Sequence, residues 1–196
     1  MHDEPTPADR SDAGGSGASR GTSEEEELLT ERIAPKHRIA DFRCSRSPRI
    51  QGFFLNEYPY FTRTNYTRVF VYAETADPDR ILGYYTLSAA AIARRSLAGK
   101  YQRPKKTPPG IDPPMVRIGF LGRDDDSTKG LGGALVRDAA IRISKLDVGA
   151  WGIVLDADNE ALANAFYLKL GFHFAEGNDP SIPKLLMYAP LASLLG

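Results

Sequence analysis

The chain has 196 residues, 42% of them hydrophobic, which suits one domain with a sizeable core plus a tail. Its 25 basic and 25 acidic residues balance, so net charge argues neither for nor against a polyanionic partner. The single cysteine, Cys44, excludes an internal disulfide and fits a reducing cytoplasm; no apolar run approaches the ~20 residues of a membrane helix, no charged-then-apolar leader opens the chain, and no metal-ligand spacing occurs.

Residues 1–27 form a tail by composition. Met1 to about Ser23 is Gly, Ser, Asp, Pro and Arg without periodicity, and Glu24–Glu27 is an acidic run. The folded domain is expected over residues 28–196. Leu29–Ile33 reads as a first strand, and Pro48–Tyr58 as a short helix with Ser47 as cap and Pro48 at its first position. Thr67–Glu74 and Ile81–Ser88 are rich in β-branched and aromatic residues around the turn Ala76-Asp77-Pro78-Asp79, which predicts a hairpin. Val116–Gly122 is a fourth strand and Gly130–Leu146 a helix; Gly152–Ala157 is a strand and Asn159–Leu170 a helix. Phe172–Ala175 and Leu185–Ala189 close the sheet. The fold class is therefore α/β, a mixed central sheet with helices on both faces.

Two segments carry chemistry. In Ser127-Thr128-Lys129-Gly130-Leu131-Gly132-Gly133, a small-residue turn opens a helix, which leaves backbone N–H groups unpaired at the positive end of the helix dipole. Such a site suits phosphate oxygens, although many strand-to-helix turns use glycine only for backbone freedom. About thirty residues later, Asn159–Gly171 ends Phe166-Tyr167-Leu168-Lys169-Leu170-Gly171 and runs into Phe172. Leu162, Phe166 and Leu170 keep helical spacing, which predicts a buried stripe and leaves Tyr167 on a neighbouring face.

Loop, helix, strand, and a helix ending Phe-Tyr-x-x-x-Gly-Phe, in that order, resemble the GNAT superfamily of acetyl-CoA-dependent N-acetyltransferases. The family loop is usually Gln/Arg-x-x-Gly-x-Gly/Ala; Gly130 and Gly132 match it, and Ser127 stands at the Gln/Arg place. Asp41-Phe42-Arg43-Cys44, the hairpin, Ile118-Gly119-Phe120-Leu121 and Ala165-Phe166-Tyr167 extend the resemblance over residues 30–192. They narrow it to the GNAT toxins of type II toxin–antitoxin systems. Those enzymes acetylate the free amine of aminoacyl-tRNA and halt translation.

The resemblance implies a sheet splayed between its fourth and fifth strands, acetyl-CoA as cofactor, and Tyr167 as the general acid that protonates the leaving thiolate. It implies that the backbone N–H groups of Phe120 and Leu121 face the pantetheine and carbonyl. The N–H groups of Lys129, Gly130, Leu131, Gly132 and Gly133 would hold the pyrophosphate, and Asn159 would be a minor cofactor contact or the cap of its helix. It also implies aminoacyl-tRNA as substrate and a ribbon-helix-helix antitoxin as partner, with a homodimer open.

Read from the residues alone, Arg94-Arg95-Ser96-Leu97-Ala98-Gly99-Lys100-Tyr101-Gln102-Arg103-Pro104-Lys105-Lys106 is basic without an acid. Arg94, Arg95, Lys100, Arg103, Lys105 and Lys106 suit phosphates; a solvated loop or a seat for an acidic antitoxin tail is the alternative. No clear general base stands out. His37 reads as a satisfied loop histidine, and Asp124–Asp126 as an exposed turn that could draw a proton through water. An aminoacyl α-amine is less basic than a lysine (pKa about 10.4) and needs no strong base. A small-amine or protein acetyltransferase, and a non-catalytic scaffold, remain the rival readings.

Overall fold

The computed structural model describes residues 30–178 and 184–196, so the expected tail lies outside the described residues. A single seven-stranded sheet organises the molecule. The strands are β1 (Glu31–Arg32), β2 (Arg68–Ala73), β3 (Ile81–Ala91), β4 (Pro114–Arg123), β5 (Gly152–Ala157), β6 (His173–Phe174) and β7 (Leu185–Pro190), in spatial order β1-β2-β3-β4-β5-β7-β6. All neighbours are antiparallel except β4 and β5. A parallel pair needs a crossover, and the helix α3 (Leu131–Ser144) supplies it.

Alternation along the strands sorts the core onto two faces. Phe70, Tyr85, Leu87, Ile118, Ile153, Leu155 and Met187 pack under α3, with Leu131, Leu135, Val136 and Ile143 of that helix buried against them. Each such side chain contributes roughly 2 kcal/mol by leaving water. On the other face Val69, Val71 and Tyr84 meet Phe42, Phe53 and Phe54. Phe53 and Phe54 come from a helical stretch: α1 (Pro48–Gly52), a π turn (Phe53–Glu57) and α2 (Tyr58–Arg63). The Ser47 hydroxyl accepts from Ile50 N–H at 3.4 Å, the expected cap, and the helix runs on past Tyr58 to Arg63. Further along the same face, Ile92, Leu97, Met115, Val154 and Tyr188 form a third cluster under the basic loop.

A buried polar network ties β1 to α3. The Asp138 carboxylate, 9% exposed, accepts from the hydroxyls of Tyr85 and Thr30. Arg142 donates to the Thr30 carbonyl (2.8 Å) and to the Tyr85 hydroxyl (3.0 Å), and lies over the Phe70 ring. A short helix α5 (Leu191–Leu194), absent from the sequence reading, follows β7 and packs Leu191 into the α3-side core.

Candidate functional site

The glycine turn behaves as a helix start with open donors. Gly130 has φ +98°, a left-handed conformation that a side chain would strain, and it caps α3. Its carbonyl accepts from Gly133 and Ala134 N–H at 3.0 and 3.2 Å, while Leu131 N–H reaches the Thr128 carbonyl at 3.4 Å. The N–H groups of Thr128, Lys129, Gly130 and Gly132 donate to nothing among the described residues. Of the five expected phosphate donors, Lys129, Gly130 and Gly132 are thus open, and Leu131 and Gly133 are engaged within the turn. Ser127 turns inward, its hydroxyl donating to the Asp124 carbonyl at 2.6 Å. Lys129 is exposed beside the loop.

The preceding acidic turn is exposed at Asp125 and Asp126, as read from the sequence, and buried at Asp124. Asp124 is 3% exposed and accepts from Arg43 N–H (2.7 Å) and Asp126 N–H (3.0 Å). Asp125 accepts from the Ser45 N–H and hydroxyl, and Asp126 pairs with Arg80. Asp124 and Asp125 fasten the segment before α1 to the turn that feeds α3, and Asp126 ties that turn to Arg80 of the β2–β3 hairpin.

β4 and β5 pair only at Met115–Gly152, Val116–Ile153 and Arg117–Val154. Beyond that point β4 continues to Arg123 with β3 alone, and the two strands part into a wedge. The β3–β4 register shifts there: Leu87 faces Ile118 and Tyr85 faces Leu121, so Gly119 and Phe120 together oppose Thr86. This bulge puts Ile118 and Leu121 on the α3 face and Phe120 on the other. Phe120 stacks on Phe53 with centroids 3.7 Å apart. Its N–H donates to the Thr86 hydroxyl at 2.9 Å, which corrects its expected role as a donor into the wedge. Leu121, the second expected donor, lies opposite Tyr85.

Tyr167 sits at the end of a π turn, Ala163–Tyr167, that follows α4 (Glu160–Leu162). Asn159 caps this helix, its side-chain oxygen accepting Leu162 N–H at 2.8 Å. The buried stripe runs one residue later than the spacing predicts: Ala163 and Tyr167 are buried, Leu162 is exposed, and Phe166 and Leu170 are half-buried. Tyr167 packs with the β5 residues Leu155 and Ala157 on the α3 face of the wedge. The hydroxyls of the buried Tyr84, Tyr85 and Tyr188 each have a partner, in Ile50, Asp138 and Ala98. Tyr167 has none among the described residues.

Burial, with a smaller contribution from Asp158, pushes the Tyr167 hydroxyl up to about 12. It therefore stays protonated wherever the protein works, as a proton donor must. We expect no loss of rate from Tyr167 ionisation between pH 7 and roughly 10 in a pH–rate profile. The same shift stabilises the fold fully below the unfolded tyrosine value, roughly 10, and that contribution is lost as pH rises through about 12. Urea midpoints measured up to pH 11 should fall on the alkaline side; a flat profile would contradict the burial.

The basic segment is a built loop rather than a loose one. A 3-10 turn, Arg94–Ser96, starts it. The guanidinium of Arg94 donates to the Gln102 carbonyl and the Thr107 hydroxyl, so this residue holds the loop instead of facing outward. Tyr101 hydrogen-bonds His173 Nε2 at 3.1 Å, and Trp151 Nε1 donates to the Lys106 carbonyl at 3.2 Å. Arg95, Lys100, Arg103, Lys105 and Lys106 are exposed on that frame. His37 is buried, its Nδ1 accepting Ala34 N–H at 2.9 Å and its Nε2 beside Glu31, a structural histidine. Cys44 is buried, and burial pushes its thiol up. Among the described residues no cluster of metal ligands occurs and no helix is long and apolar enough to cross a membrane.

No family model matches the chain. Among solved structures, a Tyr-to-Phe mutant of KacT is 28% identical, with a TM-score of 0.72 over 86% of this chain and 98% of its own. AtaT complexed with acetyl-methionyl-tRNAfMet is 25% identical, TM-score 0.71, over 85% of this chain and 96% of its own. AtaTR bound with acetyl-CoA is 25% identical, TM-score 0.67, over 86% and 96%. AtaT is a toxin, known also bound to the C-terminus of the antitoxin AtaR. The chain thus has the GNAT fold, and its structural neighbours are GNAT-fold toxins.

Proposed function

We propose that the chain is an N-acetyltransferase that moves an acetyl group from acetyl-CoA to the aminoacyl amine of charged tRNA, acting as a translation-inhibiting toxin. The observation that carries this reading is the Tyr167 hydroxyl, without a partner among the described residues, on the α3 face of the β4–β5 wedge, together with the open amides of Lys129, Gly130 and Gly132. Acetyl-CoA fits these residues, and it supplies the activated acetyl group and a thiol leaving group. The open N–H groups of Lys129, Gly130 and Gly132 would receive pyrophosphate oxygens at the positive end of α3. A groove of about 420 Å³ lies between α3 and the C-terminal segment, lined by Gly133, Val136, Arg137, Leu170 and residues 193–196. Tyr167 would give its proton to the departing sulfur, since burial keeps it neutral until then.

The acceptor reading rests on the exposed cations Arg95, Lys100, Arg103, Lys105 and Lys106, held on a rigid frame suited to a phosphate backbone. The same loop argues against a small cationic amine as substrate. A ribbon-helix-helix antitoxin and a cytoplasmic setting complete the proposal. Replacing Gly130 with Val should weaken acetyl-CoA binding about tenfold or more by calorimetry, because φ +98° is strained for any side chain. Unchanged affinity would remove the loop from the site. The reading as a whole is tested by cell-free translation: arrest should require the chain and acetyl-CoA together, and uninhibited translation would contradict it.

A further inference from the structure

The sequence offers no base or anchor for the acceptor amine; the fold places one. Asp156 lies on β5 two residues beyond Val154, the last residue paired with β4, so it stands where the wedge has opened. Leu155 and Ala157 pack on the α3 face with Tyr167, and alternation puts Asp156 on the opposite face with Val154. Arg117 is the β4 residue paired with Val154, and its guanidinium grips Asp156 Oδ2 across the closed end of the wedge. The second carboxylate oxygen, Oδ1, has no donor among the described residues, and the side chain is 37% exposed. One oxygen is therefore fixed and the other is free at the wedge, on the face away from Tyr167.

We propose that Asp156, held by Arg117, is the acceptor-binding carboxylate: its Oδ1 takes the acceptor's ammonium and aims the nitrogen at the acetyl carbon from the face opposite Tyr167. This rests on the acetyltransferase reading above. The ammonium first gives one proton through Asp156 to water, which frees the nitrogen's lone pair. In the transfer the nitrogen–carbon bond then forms and the carbon–sulfur bond breaks, the sulfur takes the proton of Tyr167, and the nitrogen's second proton passes to water, from which Tyr167 is reprotonated. A primary or aminoacyl amine fits such a site, and an acceptor without a positive nitrogen does not. Arg117 is a positioning residue in this scheme. It neutralises half of the carboxylate and keeps the other half pointed at the acceptor.

The test is binding, not turnover. A non-hydrolysable aminoacyl amide of adenosine and its des-amino counterpart are titrated calorimetrically, with CoA present, into the wild type and D156N. The wild type should bind the amino compound, and D156N should bind it on the order of tenfold to a hundredfold more weakly, the range of a charge-assisted hydrogen bond. The des-amino compound should bind both proteins equally, and D156E should recover part of the loss. Equal binding of the amino compound to wild type and D156N, an equal loss for both compounds, or no binding to the wild type would each overturn the proposal. Failure of the acetyltransferase reading shows separately, as absence of acetyl transfer by the wild type.

Discussion

Tyr167→Phe is expected to lower acetyl transfer by about 10²- to 10⁴-fold while leaving acetyl-CoA affinity and thermal stability near the wild-type values. The reason is local. The Tyr167 hydroxyl has no hydrogen-bond partner among the described residues, so removing it breaks no bond of the fold. The ring packs with Ala163 and Phe172, and phenylalanine preserves that packing. Transfer rates with saturating acetyl-CoA, alongside calorimetry and a melting curve, make the comparison. A variant that transfers normally would remove the general-acid role; one that melts many degrees lower would make Tyr167 a structural residue.

Gly152→Ala is expected to destabilise the protein by about 3 kcal/mol or more. Gly152 opens β5 where it pairs with Met115 on β4 and Pro190 on β7, and an added Cβ would lie deep inside contact distance of the Ala189 carbonyl. That neighbour is backbone held in the second pair from the end of the β5–β7 ladder, so relief requires β5 and β7 to shift there. The shift would also move the closed end of the wedge, and the folded remainder should transfer acetyl groups more slowly. Gly52→Ala is the control: it lies in α1 with open space at its Cβ position, and should be neutral or stabilise by up to about 1 kcal/mol. Urea midpoints of the two variants read both effects. Similar midpoints would mean that the β5–β7 ladder yields far more easily than its geometry indicates.

Element order was legible in the chain because the hairpin, α3 and β5 carry local patterns strong enough to survive packing. Gly152–Ala157 comes out at its sequence-read bounds, and Ser47 and Asn159 cap as their types require. What periodicity could not give was phase. The stripe Leu162, Phe166, Leu170 matches a helix as well as Ala163 and Tyr167 do, and only the sheet beneath, with the π turn at Ala163–Tyr167, selects the second.

The bulge that sends Phe120 to the far face depends on register between β3 and β4, which no run of residues encodes by itself. Asp138 and Asp124 look like solvated acids in sequence. Partners more than fifty residues away in chain, Tyr85 and Thr30 for one and Arg43 for the other, bury them. Arg94 is the converse: a cation that reads as surface but holds its own loop. Asp156 was invisible for the same reason, since its meaning comes from the wedge and from Arg117 across it.

The most direct measurement is label transfer from acetyl-labelled CoA to bulk charged tRNA, with free amines and a lysine peptide alongside. The account predicts label on the charged tRNA that is lost when the aminoacyl ester is hydrolysed, and little on the other acceptors. Label confined to amines or peptide, or no label on any acceptor, would contradict it.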